Sequence, residues 1–221
     1  MDPVEQQLLA QLAQCENDWL EAQFYLGDYY RGNFRVDLAV DIFNRLLSAT
    51  NDTRKQSDYF VELGLCMEKK KDFQTAVDYY ARGLALGNCR PPTHYWLHNN
   101  TGYCLNQLER YQEAEPFCRA AIEIDPSRHN AYKNLGLAQA GLRQIKEAAC
   151  SFLLAVQKNA ADPRALRHLE ELAVRHSELP SLLPDLQDRM EECRKAVTMA
   201  RKLLAAREIE NRCGLPNRLV H

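Results

Sequence analysis

The chain has 221 residues, 46% of them hydrophobic, with a formal charge of −2 and a pI near 6.3. That balance gives no basic footprint for nucleic acid. No apolar run approaches the roughly 18 residues of a membrane span, so neither nucleic acid nor membrane is expected as a partner.

Residues 1–56 carry nine acidic and five basic side chains, a local charge of −4 that is expected to be a solvated surface. The opening Met-Asp-Pro-Val-Glu is acidic, and the Leu-Leu-Ala that follows is too short for the core of a secretion signal. Residues 3–14 have the spacing of a short amphipathic helix. It is expected to cap the next helices from within a segment spanning 1–19.

From there the chain is periodic. Gly27, Gly64, Gly102 and Gly136 stand 37, 38 and 34 residues apart. Leu26-Gly27 is followed by Ala39, Phe43 and Leu46, and Leu63-Gly64 by Ala76, Tyr80 and Gly83. Gly102 is followed by Ala114, Phe117, Ala121 and Asp125-Pro126, and Leu135-Gly136 by Ala148, Phe152 and Ala155. Small residues at the first two places let paired helices approach closely, and the aromatic fills the wedge between them. Arg-Gly-Asn, Lys-Lys-Asp and Gly-Leu-Arg-Gln supply the turns inside three of the units.

This pattern resembles the tetratricopeptide repeat family, whose unit is a 34-residue helix–turn–helix. The resemblance implies an all-α fold, a tetratricopeptide-type α-α superhelix (solenoid). Its four repeats would span 20–56, 57–94, 95–128 and 129–162. Some positions depart from the family. Cys118 stands where an aromatic is preferred, with Phe117 beside it, and Pro163 comes three residues late. The first two units lack a closing proline.

Residues 163–221 are expected to form C-terminal helices. Arg164 to His176 looks like a further first helix, Pro180 and Pro184 break the chain, and a long helix runs from Asp185 to about Asn211. Leu186, Met190, Cys193, Val197, Ala200 and Leu204 follow a heptad period along it. A capping helix that solvates the end of the array is the preferred reading. A dimer seam is the alternative.

Eight cysteines lie apart with no Cys-x-x-Cys pair, so core thiols in a reducing, cytoplasmic setting are expected. Cys66 and Cys104 each fall two residues after a repeat glycine, which predicts a shared packing slot. No nucleotide-binding or nucleophile motif is present, and an enzyme, a cofactor or a metal is not expected. His94 and His98 have the spacing of a two-histidine metal pair, but no third residue follows at ligand-like spacing.

The family resemblance implies a concave groove lined by the first helix of each unit. Carried over position by position, it takes in Asp58 and Leu65, then Trp96, Asn99, Tyr103 and Asn106, then Asn130, Lys133 and Leu137. The chaperone-binding carboxylate clamp known in one subfamily is absent, because each alignment of its five positions matches only one, Asn100 or Asn134. Arg164 and Arg167, with Lys133, are candidate contacts for an acidic tail. The implied function is a non-catalytic adaptor or scaffold that binds a peptide or helix of another protein. The alternatives are a chaperone-like escort resembling those of secretion systems, or a structural protein that forms a homodimer through its terminal helices.

Overall fold

Helices follow from the spacing of apolar residues and from short polar turns that stop and restart them. The computed structural model describes residues 3–212, with side chains for 14–15 and 18–208. Eleven helices and no strand occur among these residues, and no helix among them is long and apolar enough to cross a membrane. The chain is all-α and divides into two units, residues 1–108 and 109–221.

The first unit contains α1 (Pro3–Gly32), α2 (Val36–Ala49), α3 (Thr53–Lys69), α4 (Phe73–Ala85) and α5 (Pro91–Gln107). Each helix packs on the next, and the first-helix elements α3 and α5 also touch. Phe43, Leu46, Leu63, Tyr80 and Leu97 are its fully buried centre. A methyl group added at Gly27 would lie 2.7 Å from Phe43 Cζ, and one at Gly64 would overlap the Tyr80 ring. The glycine and the aromatic sixteen residues on are therefore one contact.

The second unit contains α6 (Tyr111–Ile124), α7 (His129–Gly141), α8 (Ile145–Lys158) and α9 (Arg164–Arg175), then α10 (Leu179–Leu182) and α11 (Leu186–Arg212). The same contact recurs, because a methyl group at Gly136 would sit 2.6 Å from Phe152 Cε1. The turns recur as well. Phe34, Lys71, Glu109 and Arg143 have φ of 59°, 60°, 58° and 61°, each seven residues after a repeat glycine. In three of these turns the next N–H reaches back five residues, as in Arg35 to Tyr30, Asp72 to Met67 and Gln144 to Gln139, at 2.9 Å. This is a Schellman-type helix stop without glycine.

Several expectations change in detail. The short helix over 3–14 is the start of one 30-residue helix, because no Gly or Pro interrupts residues 4–26. The helices α3 and α5 begin four residues ahead of Ser57 and Tyr95. Asp52 caps α3 by accepting from Arg54 N at 2.9 Å, and Pro91 occupies the first position of α5.

The long C-terminal helix caps its unit. Leu186, Met190, Cys193 and Val197 are buried with residues of α8 and α9. The seam does not stay covered to its end, since Ala200 is half-buried and Leu204 is exposed. Among the described cysteines all are free thiols, and Cys66, Cys104, Cys118 and Cys193 are buried. Cys66 and Cys104, each two residues after a repeat glycine, both have no exposed surface. Burial pushes the Cys66 thiol up to about 12, so it is inert.

Candidate partner-binding faces

The first-helix residues of the first unit are tied into the fold. Asp58 accepts from Thr93 Oγ1 and Arg90. Arg31 donates to Glu62 at 2.9 Å and also bonds Asp28. Glu68 accepts from the Tyr80 hydroxyl at 2.6 Å and lies 3.6 Å from Cys104 Sγ. Burial raises the Glu62 and Glu68 carboxyls, opposed by Arg31 at the first and by the Tyr80 hydroxyl at the second. Each of these three α3 carboxylates has a donor within its own unit.

Leu65, Trp96 and Tyr103 are half-buried against the core of this unit. Trp96 stacks edge-on with Tyr95 at 5.1 Å, and Tyr103 edge-on with Phe73 at 6.1 Å. Asn99 and Asn106 are buried, and Asn99 Nδ2 donates to Asn100 Oδ1 at 2.8 Å. Here Leu65, Trp96 and Tyr103 keep part of their surface exposed while they pack on the core, whereas Asn99 and Asn106 are buried. Between α1 and the start of α3 the unit also has a cleft of about 420 Å³ walled by Phe24, Tyr25 and Tyr59. Asp58, one of the residues taken into the groove from the sequence, also lines this cleft.

The second unit differs in one respect. Lys133 on α7 is only 7% exposed, yet no carboxylate among the described residues pairs with its ammonium group. Burial first, and then the neighbouring Arg164, lower its pKa to about 8, with Asp162 pulling weakly the other way. Asp162 is occupied elsewhere. It accepts from Arg164 Nε at 2.8 Å and Nη2 at 2.6 Å and lies 3.0 Å from His129 Nε2. The Arg164 bonds hold its carboxyl far below the usual range.

On α9, Arg167 is exposed, and its charge and that of Lys133 both act on His168, which burial already keeps toward the neutral form. Asn130 and Leu137 flank Lys133 on α7 and are half-buried. Arg164 thus acts on Lys133, and Lys133 and Arg167 act together on His168. The missing partner of Lys133 was not foreseen. Its sequence signal is plain, for α7 contains no acidic residue.

Against known families, residues 95–128 match the tetratricopeptide repeat model. That segment is similar to a tetratricopeptide repeat. The heat shock protein STI1 of Saccharomyces cerevisiae is 24% identical over 116 residues, which is 52% of this chain and 19% of that protein. The chain therefore spans about a fifth of that relative's length. Among solved structures, MamA from Desulfovibrio magneticus RS-1 (residues 41 to the end) superposes with a TM-score of 0.61 at 18% identity, covering 85% of this chain and 96% of that one. The first tetratricopeptide domain of human RPAP3 gives 0.51 at 20% identity, covering 57% and 95%. At these identities the structural likenesses are likenesses of fold.

Proposed function

We propose that the chain is a non-catalytic interaction module whose second unit holds an acidic segment of a partner protein against the α7–α9 face. The observation that carries this reading is Lys133, a largely buried lysine with which no carboxylate among the described residues forms an ion pair. A buried charge without a partner costs several kcal/mol, and an incoming carboxylate removes that cost through charge-assisted hydrogen bonds. Arg164 and Arg167 extend the positive face, while Asn130 and Leu137 offer an amide and an apolar shelf for the backbone of an extended peptide. Binding to a pre-formed helical surface spares the protein ordering entropy. In the first unit, Leu65, Trp96 and Tyr103 supply apolar and aromatic contact area, and Asn99, Asn106 and Asp58 supply polar contacts, for a further stretch of partner. Free thiols fit a reducing, cytoplasmic setting. The tetratricopeptide relatives support an interaction module in general terms.

The test is capture from native lysate by the wild-type chain and by a Lys133→Gln, Arg164→Gln variant of unchanged helicity. The expected result is a captured protein with an acidic segment, released by salt and at least tenfold depleted on the variant. Equal capture by both would overturn the reading.

One observation favours a second reading, self-association. Met199, Leu203 and Leu204 are 57%, 55% and 46% exposed on the distal half of α11. A mass that rises with concentration for the wild type, but not for Leu203→Glu, would establish it.

A further inference from the structure

We propose that His94 and His98 together form a binding site for a divalent first-row transition-metal ion of the Zn, Cu or Ni kind. The two residues are one turn apart at the start of α5, whose first turn is fixed by Pro91 and by the His94 N–H bond to Arg90 O at 2.8 Å. Both side chains are half-buried, so the rings have little freedom and still meet solvent. Their Nε2 atoms are 3.1 Å apart. The two nitrogens share a hydrogen bond, and the ring centroids are 4.8 Å apart with planes at 62°.

Imidazole nitrogens bind zinc at roughly 2.0–2.1 Å. Two nitrogens 3.1 Å apart then subtend about 98° at one ion, between the right angle of a square or octahedral site and the tetrahedral angle. The two donor atoms are thus within chelating distance of each other before any ion arrives. In the bound form both rings carry their proton on Nδ1 and turn the Nε2 lone pair to the metal, so the ring that donates from Nε2 in the ion-free pair moves its proton to Nδ1, and no net proton is released. Imidazole donors select Zn, Cu and Ni over Mg or Ca, which prefer oxygen. No group of three or more His, Cys, Asp or Glu residues suited to a metal occurs among the described residues. The remaining coordination positions therefore belong to water, and the ion is exchangeable, as in an open site.

The experiment titrates the full chain, free of any affinity tag and in a Cys15→Ser background, with Zn²⁺ followed by calorimetry and Cu²⁺ followed by electron paramagnetic resonance. Cys15 is replaced because it is an exposed competing thiol. The expected result is one ion per chain, a copper spectrum with two nitrogen ligands, and a melting temperature raised by metal. Loss of an outer-shell partner typically weakens a metal site by 10- to 100-fold. Losing one of only two protein ligands should therefore weaken binding at least tenfold, in His94→Ala and His98→Ala alike. A conservative variant, His94→Gln, keeps the test valid if His98→Ala folds poorly. Binding unchanged in either histidine variant, or lost instead on replacing His129 or His168, would overturn the proposal.

Discussion

A side chain with a β-carbon at φ near +60° crowds its own carbonyl and costs about 1–2 kcal/mol. The four inter-helix turns place Phe34, Lys71, Glu109 and Arg143 there. Lys71 and Arg143 are exposed at those positions. Lys71→Gly and Arg143→Gly should each raise stability by about 1 kcal/mol, less some unfolded-state entropy, in urea unfolding. An unchanged or lower midpoint would show that the turns are held by something other than backbone conformation. The repeat glycines respond the other way. Gly64→Ala drives a methyl group into the Tyr80 ring and should cost about 1–3 kcal/mol by overpacking. The two effects differ in how well they can be read from sequence. The pairing of Gly64 with Tyr80 is chemically recognisable in three of the four repeats, recurring as Gly27 with Phe43 and Gly136 with Phe152. The left-handed turn residues are an aromatic, two cations and an acid, with nothing in common but their place.

Elements were legible where apolar spacing sets them, and less so where their neighbours do. The heptad seam of α11 continues to Leu204, but at 1.5 Å per residue its 27 residues span about 40 Å, against about 20 Å for the 14 residues of α8. The helix outruns what it covers, and burial stops at Val197. That stop depends on the lengths of α8 and α9, which no feature of α11 itself encodes. Met190→Ala, at a 3% exposed site, should therefore cost about 2–5 kcal/mol. Leu203→Ala, beside the exposed end of the seam at Leu204, should stay within about 0.5 kcal/mol. A large loss at Leu203 by urea unfolding at low protein concentration would mean that the distal half is covered after all. The N-terminal helix carries the same lesson in reverse. Its boundary was placed by expecting a separate cap, whereas residues 4–26 contain neither Gly nor Pro to end it.

At the scale of the whole molecule a net charge of −2 conceals a local imbalance. The family frame brought Lys133, Arg164 and Arg167 to one face, because helix periodicity fixes which positions are neighbours. It could not say which of them had a partner, since that depends on Asp162 already being taken by Arg164 and His129. The consequence is a trade between stability and binding. The unfolded lysine stays protonated up to its ordinary value of 10.5, while the folded one releases its proton near 8. The unfolded chain thus binds more protons between those values, and stability rises with pH across that window. Below pH 8 the cost is fully present. Lys133→Met should stabilise the fold at pH 7 by on the order of 1–3 kcal/mol. The difference between variant and wild type should shrink as pH rises from 8 to 10.5, measured by urea unfolding at each pH. An acidic partner acts on the same equilibrium from the other side, since a carboxylate beside Lys133 favours its charged form. Near pH 8.5 binding should therefore take up a fraction of a proton, seen as a dependence of the calorimetric heat on the ionisation enthalpy of the buffer. The proton uptake should vanish in Lys133→Met while the fold grows more stable. A variant that loses stability, or a partner whose binding heat ignores the buffer, would remove Lys133 from the interaction.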